Sequence, residues 1–197
     1  DTKDEFYEVL IRLIGEDDKL YLPSQFFPVI KQNNLIHEVD RWVVENTLDV
    51  YATNPKMKVR GNFFIKLSGH SLSQSAFSIW VNNCINSAGL LGPNRITFEI
   101  PEADMITRKK DTQKFITHLP KPTCQFAIDH FGSTEHSVEL LNEFKVNYVK
   151  LSGVLVNQIL TDAGAREKLQ ALIKAAQEAN VGIIAGALED PKTLTML

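Results

Sequence analysis

Short apolar runs alternate along this chain with longer stretches of helical periodicity, and no internal repeat stands out. The runs 6–13, 62–68, 95–100, 124–129, 147–151 and 182–186 are rich in Val, Ile and Phe. Their composition and their length of about five to eight residues predict strands buried on both faces, as in a parallel sheet. Between them, apolar positions recur at helical spacing over 23–33, 36–52, 72–87, 102–119, 138–144 and 163–179. Asp162 and Pro191 read as helix-start signals, and Ser71 or Ser73 is placed to cap the helix after the second strand. This β-then-α rhythm predicts right-handed crossovers and one parallel sheet. Six strands are too few for an ordinary eight-stranded barrel of about 250 residues. Either the sheet is open, or the chain is part of a longer one.

Composition narrows the function classes. The 197 residues, 44% of them apolar, suit one domain (1–197) with a sizeable core. The formal charge is −3 and no basic run is present, which argues against a polynucleotide partner but leaves a small anionic nucleotide open. No uncharged apolar stretch approaches the roughly 20 residues that span a bilayer, and Asp1 to Phe6 carries no signal-peptide pattern. The chain reads as soluble and cytoplasmic. Cys84 and Cys124 lack metal spacing and sit in apolar settings, so both read as reduced core thiols. His37, His70, His118 and His136 show no paired-ligand spacing and read as polar surface residues. Trp42 and Trp80 fall on apolar helix faces and read as core.

The candidate chemistry lies at strand ends. Glu8, Glu99, Asp129 and Lys150 each sit at or near the end of a predicted strand, and Lys66 ends another. In parallel α/β folds the C-terminal strand ends converge on one face, where sites are built. Three carboxylates and two lysines there would suit a phosphorylated ligand. Strand alternation puts Glu8, Leu10 and Arg12 on one face, where a carboxylate can serve a metal and a guanidinium a phosphate. A plain strand-end ion pair is the equally simple alternative.

In order along the chain come Glu8-Val9-Leu10-Ile11-Arg12, Pro23-Ser24-Gln25-Phe26-Phe27-Pro28, Asn34-Leu35-Ile36 and Asp40-Arg41-Trp42-Val43. Lys66-Leu67-Ser68, Phe98-Glu99-Ile100-Pro101-Glu102 and Asp129-His130-Phe131-Gly132 follow. This series resembles the EAL domains, which bind and usually hydrolyse the bacterial second messenger cyclic di-GMP. It is similar to their E-x-L-x-R, P-x-x-F-x-P, G-L-I, D-x-W-V-L, N-L-S, F-E-I-T-E and D-D-F-G segments over essentially the whole chain. The resemblance implies a (β/α) barrel of the TIM-barrel-like type. It also implies that the first strand, carrying Y-Q-P, and the last strand/helix, with a Q-G-Y segment, lie outside these residues, and that further domains belong to the same longer chain.

The departures from the pattern bear on activity. Lys66 stands where the family has a metal-ligating Asn, and His130 where it has the second Asp. Ser152 replaces the acid of K-x-D, and Gly186 replaces the first glutamate of A-E-G-V-E. Only Glu8, Glu99, Asp129 and Lys150 remain of the catalytic set. Two-metal hydrolysis needs both ions about 4 Å apart, so the resemblance implies an inactive domain needing no Mg²⁺ or other metal. Lys66 and Lys150 would then neutralise the carboxylates, unless Lys66 simply extends to solvent. For ligand binding the resemblance implies Leu10, Arg12, Pro23, Asp40, Ser68, Phe131 and Glu189. Arg12 would meet a phosphate, Pro23 and Asp40 one guanine, and Glu189 the other, although Asp40 also reads as a helix-start charge. Glu102 reads as steadying the loop after Asp129.

Among degenerate members the pattern is most like the FimX-type receptors of type IV pilus assembly and twitching motility. That likeness implies a PilZ-domain protein as partner and a place at the cell pole. A LapD-like membrane receptor, an active phosphodiesterase yielding pGpG, and a scaffold without nucleotide are the alternatives.

Overall fold

The computed structural model describes residues 5–90, 92, 95–121 and 123–186, with 59 and 60 described through their backbone alone. In chain order the elements are β1 Glu5–Glu8, β2 Leu13–Ile14, β3 Leu20–Tyr21, α1 Pro23–Gln32, α2 Ile36–Thr53, α3 Pro55–Arg60, β4 Gly61–Lys66, α4 Gly69–Leu72 and α5 Phe77–Ser87. They continue with β5 Ile96–Pro101, α6 Glu102–Thr107, α7 Lys109–His118, β6 Cys124–Phe131, α8 Ser137–Glu143, β7 Tyr148–Leu151, α9 Gly153–Gln158, α10 Ala163–Glu178 and β8 Gly182–Ile184. Six strands form one all-parallel sheet in the order β1-β4-β5-β6-β7-β8. With helices on its outer side this is a half-barrel: the parallel sheet is the one the spacing predicts, and the partial (β/α) barrel is the one the resemblance implies.

Alternation along each strand separates two environments. Outward-facing Phe63, Ile65, Ile96, Phe98, Ile100, Phe126, Ile128 and Val149 pack with helix residues such as Val44, Leu48, Phe77, Val81, Ile85, Met105 and Leu172 in one core. Phe115 of α7 centres it, 5.4 Å from the ring of Phe98 and 5.8 Å from that of Phe77. Each such buried ring contributes about 1.5–3 kcal/mol of transfer free energy. On the concave face the alternate positions carry Phe6, Phe64 and Tyr148 as an aromatic layer, with ring centroids 6.2 and 5.5 Å apart. One step further toward the C-terminal rim they carry Glu8, Lys66, Glu99 and Lys150. The strands thus lift the charged residues to the rim and keep apolar side chains beneath them.

The fold departs from the sequence expectations where local chemistry overrides periodicity. β1 stops at Glu8; only Val9 N–H, donating to Phe64 O at 2.9 Å, continues the pairing. The rest of the predicted first strand leaves the sheet for the β2–β3 hairpin, whose turn is closed by Gly15 N–H to Lys19 O at 2.9 Å. The predicted helix 72–87 is two helices, and Ser68 caps the first by accepting from Ser71 N–H; Ser71 and Ser73 cap neither N-terminus. The predicted helix 102–119 breaks at Arg108, where ψ turns to 40°. Asp162 caps α10 as predicted, accepting from Gly164 and Ala165 N–H, while Pro191 lies outside the described residues. Trp42 is 56% exposed rather than core, because Val43, Val44 and Leu48 take the buried face of α2. Trp80 is half-buried, with the Arg41 guanidinium 4.5 Å above its ring. Both cysteines are unpaired, and burial pushes the Cys124 thiol up to about 12, which leaves it inert at neutral pH.

Candidate functional site

Five parallel strands, β1, β4, β5, β6 and β7, each deliver one charged side chain to one end of the half-barrel: Glu8, Lys66, Glu99, Asp129 and Lys150. Lys66 at the end of β4 places its Nζ 3.4 Å from Glu8, 3.5 Å from Asp129 and 4.0 Å from Glu99. Lys150 on β7 reaches across the concave face to Glu8 at 2.6 Å and to Glu99 at 3.5 Å. The Lys66 side chain is 46% exposed, yet its ammonium is turned to the carboxylates rather than released to solvent. Glu99 and Asp129 are buried. Two ammonium groups against three carboxylates leave one net negative charge. Among the described residues no group of three or more His, Cys, Asp or Glu side chains is arranged to hold a metal ion.

The electrostatics follow from position. Burial pushes the Glu8 carboxyl up, but the hydrogen bond and charge of Lys150, joined by Lys66, pull it below the usual range. For Glu99 burial wins: its carboxyl is held above the usual range despite both lysines, with Asp129 adding repulsion. Its Oε2 is buried without a hydrogen bond. Burial works against the charge of Lys66, and the three carboxylates reverse this and raise it above its ordinary value. Gly186 lies beside this network: a Cβ there would come 3.3 Å from Lys150 Cε. Ser152, the other replaced acid, is buried and donates its N–H to Phe131 O at 2.8 Å.

The chain after Asp129 is sharply bent. His130 has φ +58°, a left-handed conformation uncommon for a residue with a Cβ, and its N–H donates to Asp129 Oδ1 at 2.9 Å. Its imidazole Nε2 lies 3.5 Å from Asp129 Oδ2. The following loop is held by Glu102, as the sequence predicts: this fully buried carboxylate accepts from Gly132 N–H at 2.8 Å, Ser133 N–H at 3.3 Å, Thr134 N–H at 3.0 Å and Ser137 Oγ at 2.8 Å, and from the Thr134 hydroxyl.

The other sequence candidates scatter more widely. Leu10 and Arg12 lie beyond the end of β1, so strand alternation does not put them on one face with Glu8. Both are exposed, and together with Glu8, Trp42 and Asn46 they line a groove of about 310 Å³. The Arg12 guanidinium donates to Ile11 O at 2.7 Å. Pro23 is half-buried as the first residue of α1. Asp40 is buried rather than a helix-start charge; its Oδ2 accepts from Ser68 N–H at 2.8 Å. Phe131 is fully buried in the core, so its ring presents no surface to a ligand. Glu189 lies outside the described residues. A second cavity of about 420 Å³, lined by Phe6, Phe64, Glu99, Tyr148, Lys150 and Gly186, opens beneath the charges. Sequence reasoning missed its aromatic floor and also Asp104, whose Oδ2 accepts from Gly69 N–H at 2.9 Å. The inward positions of β1, β4 and β7 carried the first signal; Asp104 had none, because its partner is distant in sequence.

Comparison with known proteins follows this geometry. The family model described as EAL domain matches residues 2–197. The chain is 31% identical over 160 residues to the cyclic di-GMP phosphodiesterase PdeF of Escherichia coli, covering 81% of this chain and 21% of that protein. It is 24% identical over 193 residues to the probable cyclic di-GMP phosphodiesterase PdeA of the same organism, covering 98% of this chain and 26% of that protein. The chain thus spans about a fifth to a quarter of these curated relatives. Among solved structures it is similar to the FimX EAL domain of Pseudomonas aeruginosa bound to c-di-GMP, with TM-score 0.87, 28% identity, and coverage of 100% of this chain and 78% of that one. The c-di-GMP-bound GGDEF-EAL portion of Vibrio cholerae LapD has the same fold at TM-score 0.86 and 24% identity, over 96% of this chain and 45% of that one. The chain belongs to the EAL domain family.

Proposed function

We propose that this domain binds cyclic di-GMP as a receptor and does not hydrolyse it. The observation that carries the reading is the position of Lys66, whose ammonium stands within 4.0 Å of Glu8, Glu99 and Asp129 together. An ammonium at that point competes electrostatically with a divalent cation for the same three carboxylates. His130 adds a third non-acidic group to the cluster, beside Asp129. The residues present therefore fit a pair of divalent ions poorly, and hydrolysis by such a pair has no place to be assembled. Cyclic di-GMP would need no metal to be held, because Lys66 and Lys150 already offset the buried carboxylates.

Leu10, Arg12, Pro23, Asp40 and Ser68 are the residues proposed to serve the nucleotide, with Arg12 on a phosphate as its exposed guanidinium allows. Glu189 is proposed for the second guanine, since a carboxylate can accept from its adjacent N1 and N2 donors. By likeness to the FimX EAL domains, the signal would pass to a PilZ-domain protein in type IV pilus control in a bacterial cytoplasm; this partner rests on analogy.

A second reading, an active phosphodiesterase, is favoured by the likeness to PdeF and by the retained Glu8, Glu99, Asp129 and Lys150. A turnover assay with Mg²⁺ and Mn²⁺ separates the two. The receptor reading predicts no linear pGpG above a Glu8→Ala control; accumulation well above that control overturns it.

A further inference from the structure

A third cavity, of about 480 Å³, opens between the loop after β6, the end of β7, helix α9 and the start of α10. It shares no wall residue with the spaces of about 420 and 310 Å³ beside the charged rim. Ser152 stands in its wall at 5% exposure, and its hydroxyl neither caps α9 nor meets a hydrogen-bond partner among the described residues. A hydroxyl so withdrawn from bulk water needs a partner, and the cavity is where one can sit. Ser133, Gln158 and Lys168 bring further donors from the loop, α9 and α10; all three are exposed, and their side chains are neither hydrogen-bonded nor ion-paired among the described residues. The wall also holds the carboxylate of Asp162, but its Oδ1 accepts from Gly164 N–H at 2.8 Å and Ala165 N–H at 3.3 Å. That charge is set against the positive end of the 16-residue helix α10, and Lys168 supplies the remaining charge of the wall. The residue at 152 decides the sign of the site. An acid there, as in the family pattern, would add a second carboxylate and repel an anion, whereas the Ser152 hydroxyl can donate to one.

We propose that this cavity is a second binding site, separate from the charged rim, for a small phosphomonoester, with Ser152, Ser133, Gln158 and Lys168 donating to its phosphate. Donors that arrive from three chain segments suit a tetrahedral oxyanion better than a planar carboxylate. The volume lies in the range of small-molecule sites and exceeds what a bare phosphate fills. Val154, Leu155 and Ala165 give the wall an apolar side for the organic group. The site stands whether or not the rim binds cyclic di-GMP.

The test is calorimetric titration of phenyl phosphate and of inorganic phosphate into the wild-type domain and its Lys168→Ala, Ser152→Ala and Ser152→Asp variants. The thermal unfolding midpoint of each protein alone is the folding control. Phenyl phosphate is expected to saturate the wild type with a Kd of about 1 mM or tighter. Inorganic phosphate is expected to bind at least about fivefold more weakly, because it buries nothing against the apolar wall. Lys168→Ala and Ser152→Ala are each expected to weaken phenyl phosphate about fivefold or more, as for one lost hydrogen bond to a charged group, and Ser152→Asp to abolish its binding. Three results overturn the proposal: phenyl phosphate that does not reach that affinity, phenyl phosphate that binds no tighter than inorganic phosphate, and variants that bind it like the wild type. Should the buried Ser152→Asp change prevent folding, Lys168→Ala still decides, because Lys168 is exposed.

Discussion

Lys66 Nζ lies 3.5 Å from Asp129 Oδ2, bridging the ends of two strands with Glu99 on the strand between them. An ammonium in that place makes a specific substitution informative. Lys66→Asn, which restores the residue type of the family pattern, removes the cation and leaves Glu8, Glu99 and Asp129 free to attract another. Mg²⁺ is expected to raise the thermal unfolding midpoint of Lys66→Asn and to leave that of the wild type unchanged. At 100 times Kd such binding stabilises by about 2.7 kcal/mol. Equal responses of the two proteins would show that Lys66 does not compete with the metal.

The same lysine sets an alkaline dependence. Its pKa is raised above 10.5 in the folded protein, so its contribution to stability is complete below 10.5 and is lost as the pH climbs through the higher folded value. Glu8 behaves in the opposite sense. Its carboxyl is held below 4.5, so its contribution is present above 4.5 and fades as the pH falls through the lowered folded value. Unfolding midpoints across pH should therefore show a flatter alkaline limb for Lys66→Met than for wild type, and a flatter acid limb for Glu8→Gln. Parallel curves would contradict this assignment.

Glu102 is the structural anchor of the loop after Asp129. Glu102→Ala leaves the N–H groups of Gly132, Ser133 and Thr134 without their acceptor in a buried setting, and is expected to cost about 2–4 kcal/mol in denaturant unfolding. Amide exchange at these three residues should accelerate more than in the sheet. A loss below about 1 kcal/mol would mean that other contacts hold the loop.

Much of this architecture is written plainly in the chain. The apolar runs at Phe63, Phe98 and Phe126 are buried on their outer face by helices, and Phe64, Thr97 and Ala127 on the inner face are buried as well; such two-sided burial leaves a nearly continuous signal. The charged strand ends were equally legible, because a residue at a strand terminus has its direction fixed by the strand. Leu10 and Arg12 were misplaced because the strand ends at Glu8, and alternation says nothing beyond the last ladder hydrogen bond. Asp40 also read as a helix-start charge, because its partners, Ser68 and Ser71, are 28 and 31 residues away. Trp42 misled for another reason: helical periodicity places it beside Val43 on the edge of the buried face, and packing chose Val43. Phe131 lies within a motif that faces the cleft, but the bend at His130 turns its ring into the core.

The central claim is that this EAL domain holds cyclic di-GMP with its own lysines in place of a metal. Calorimetric titration of cyclic di-GMP in EDTA tests it most directly. Saturable binding that is unchanged when Mg²⁺ or Ca²⁺ is restored is the predicted result, and binding that occurs only with the divalent cation present would contradict it.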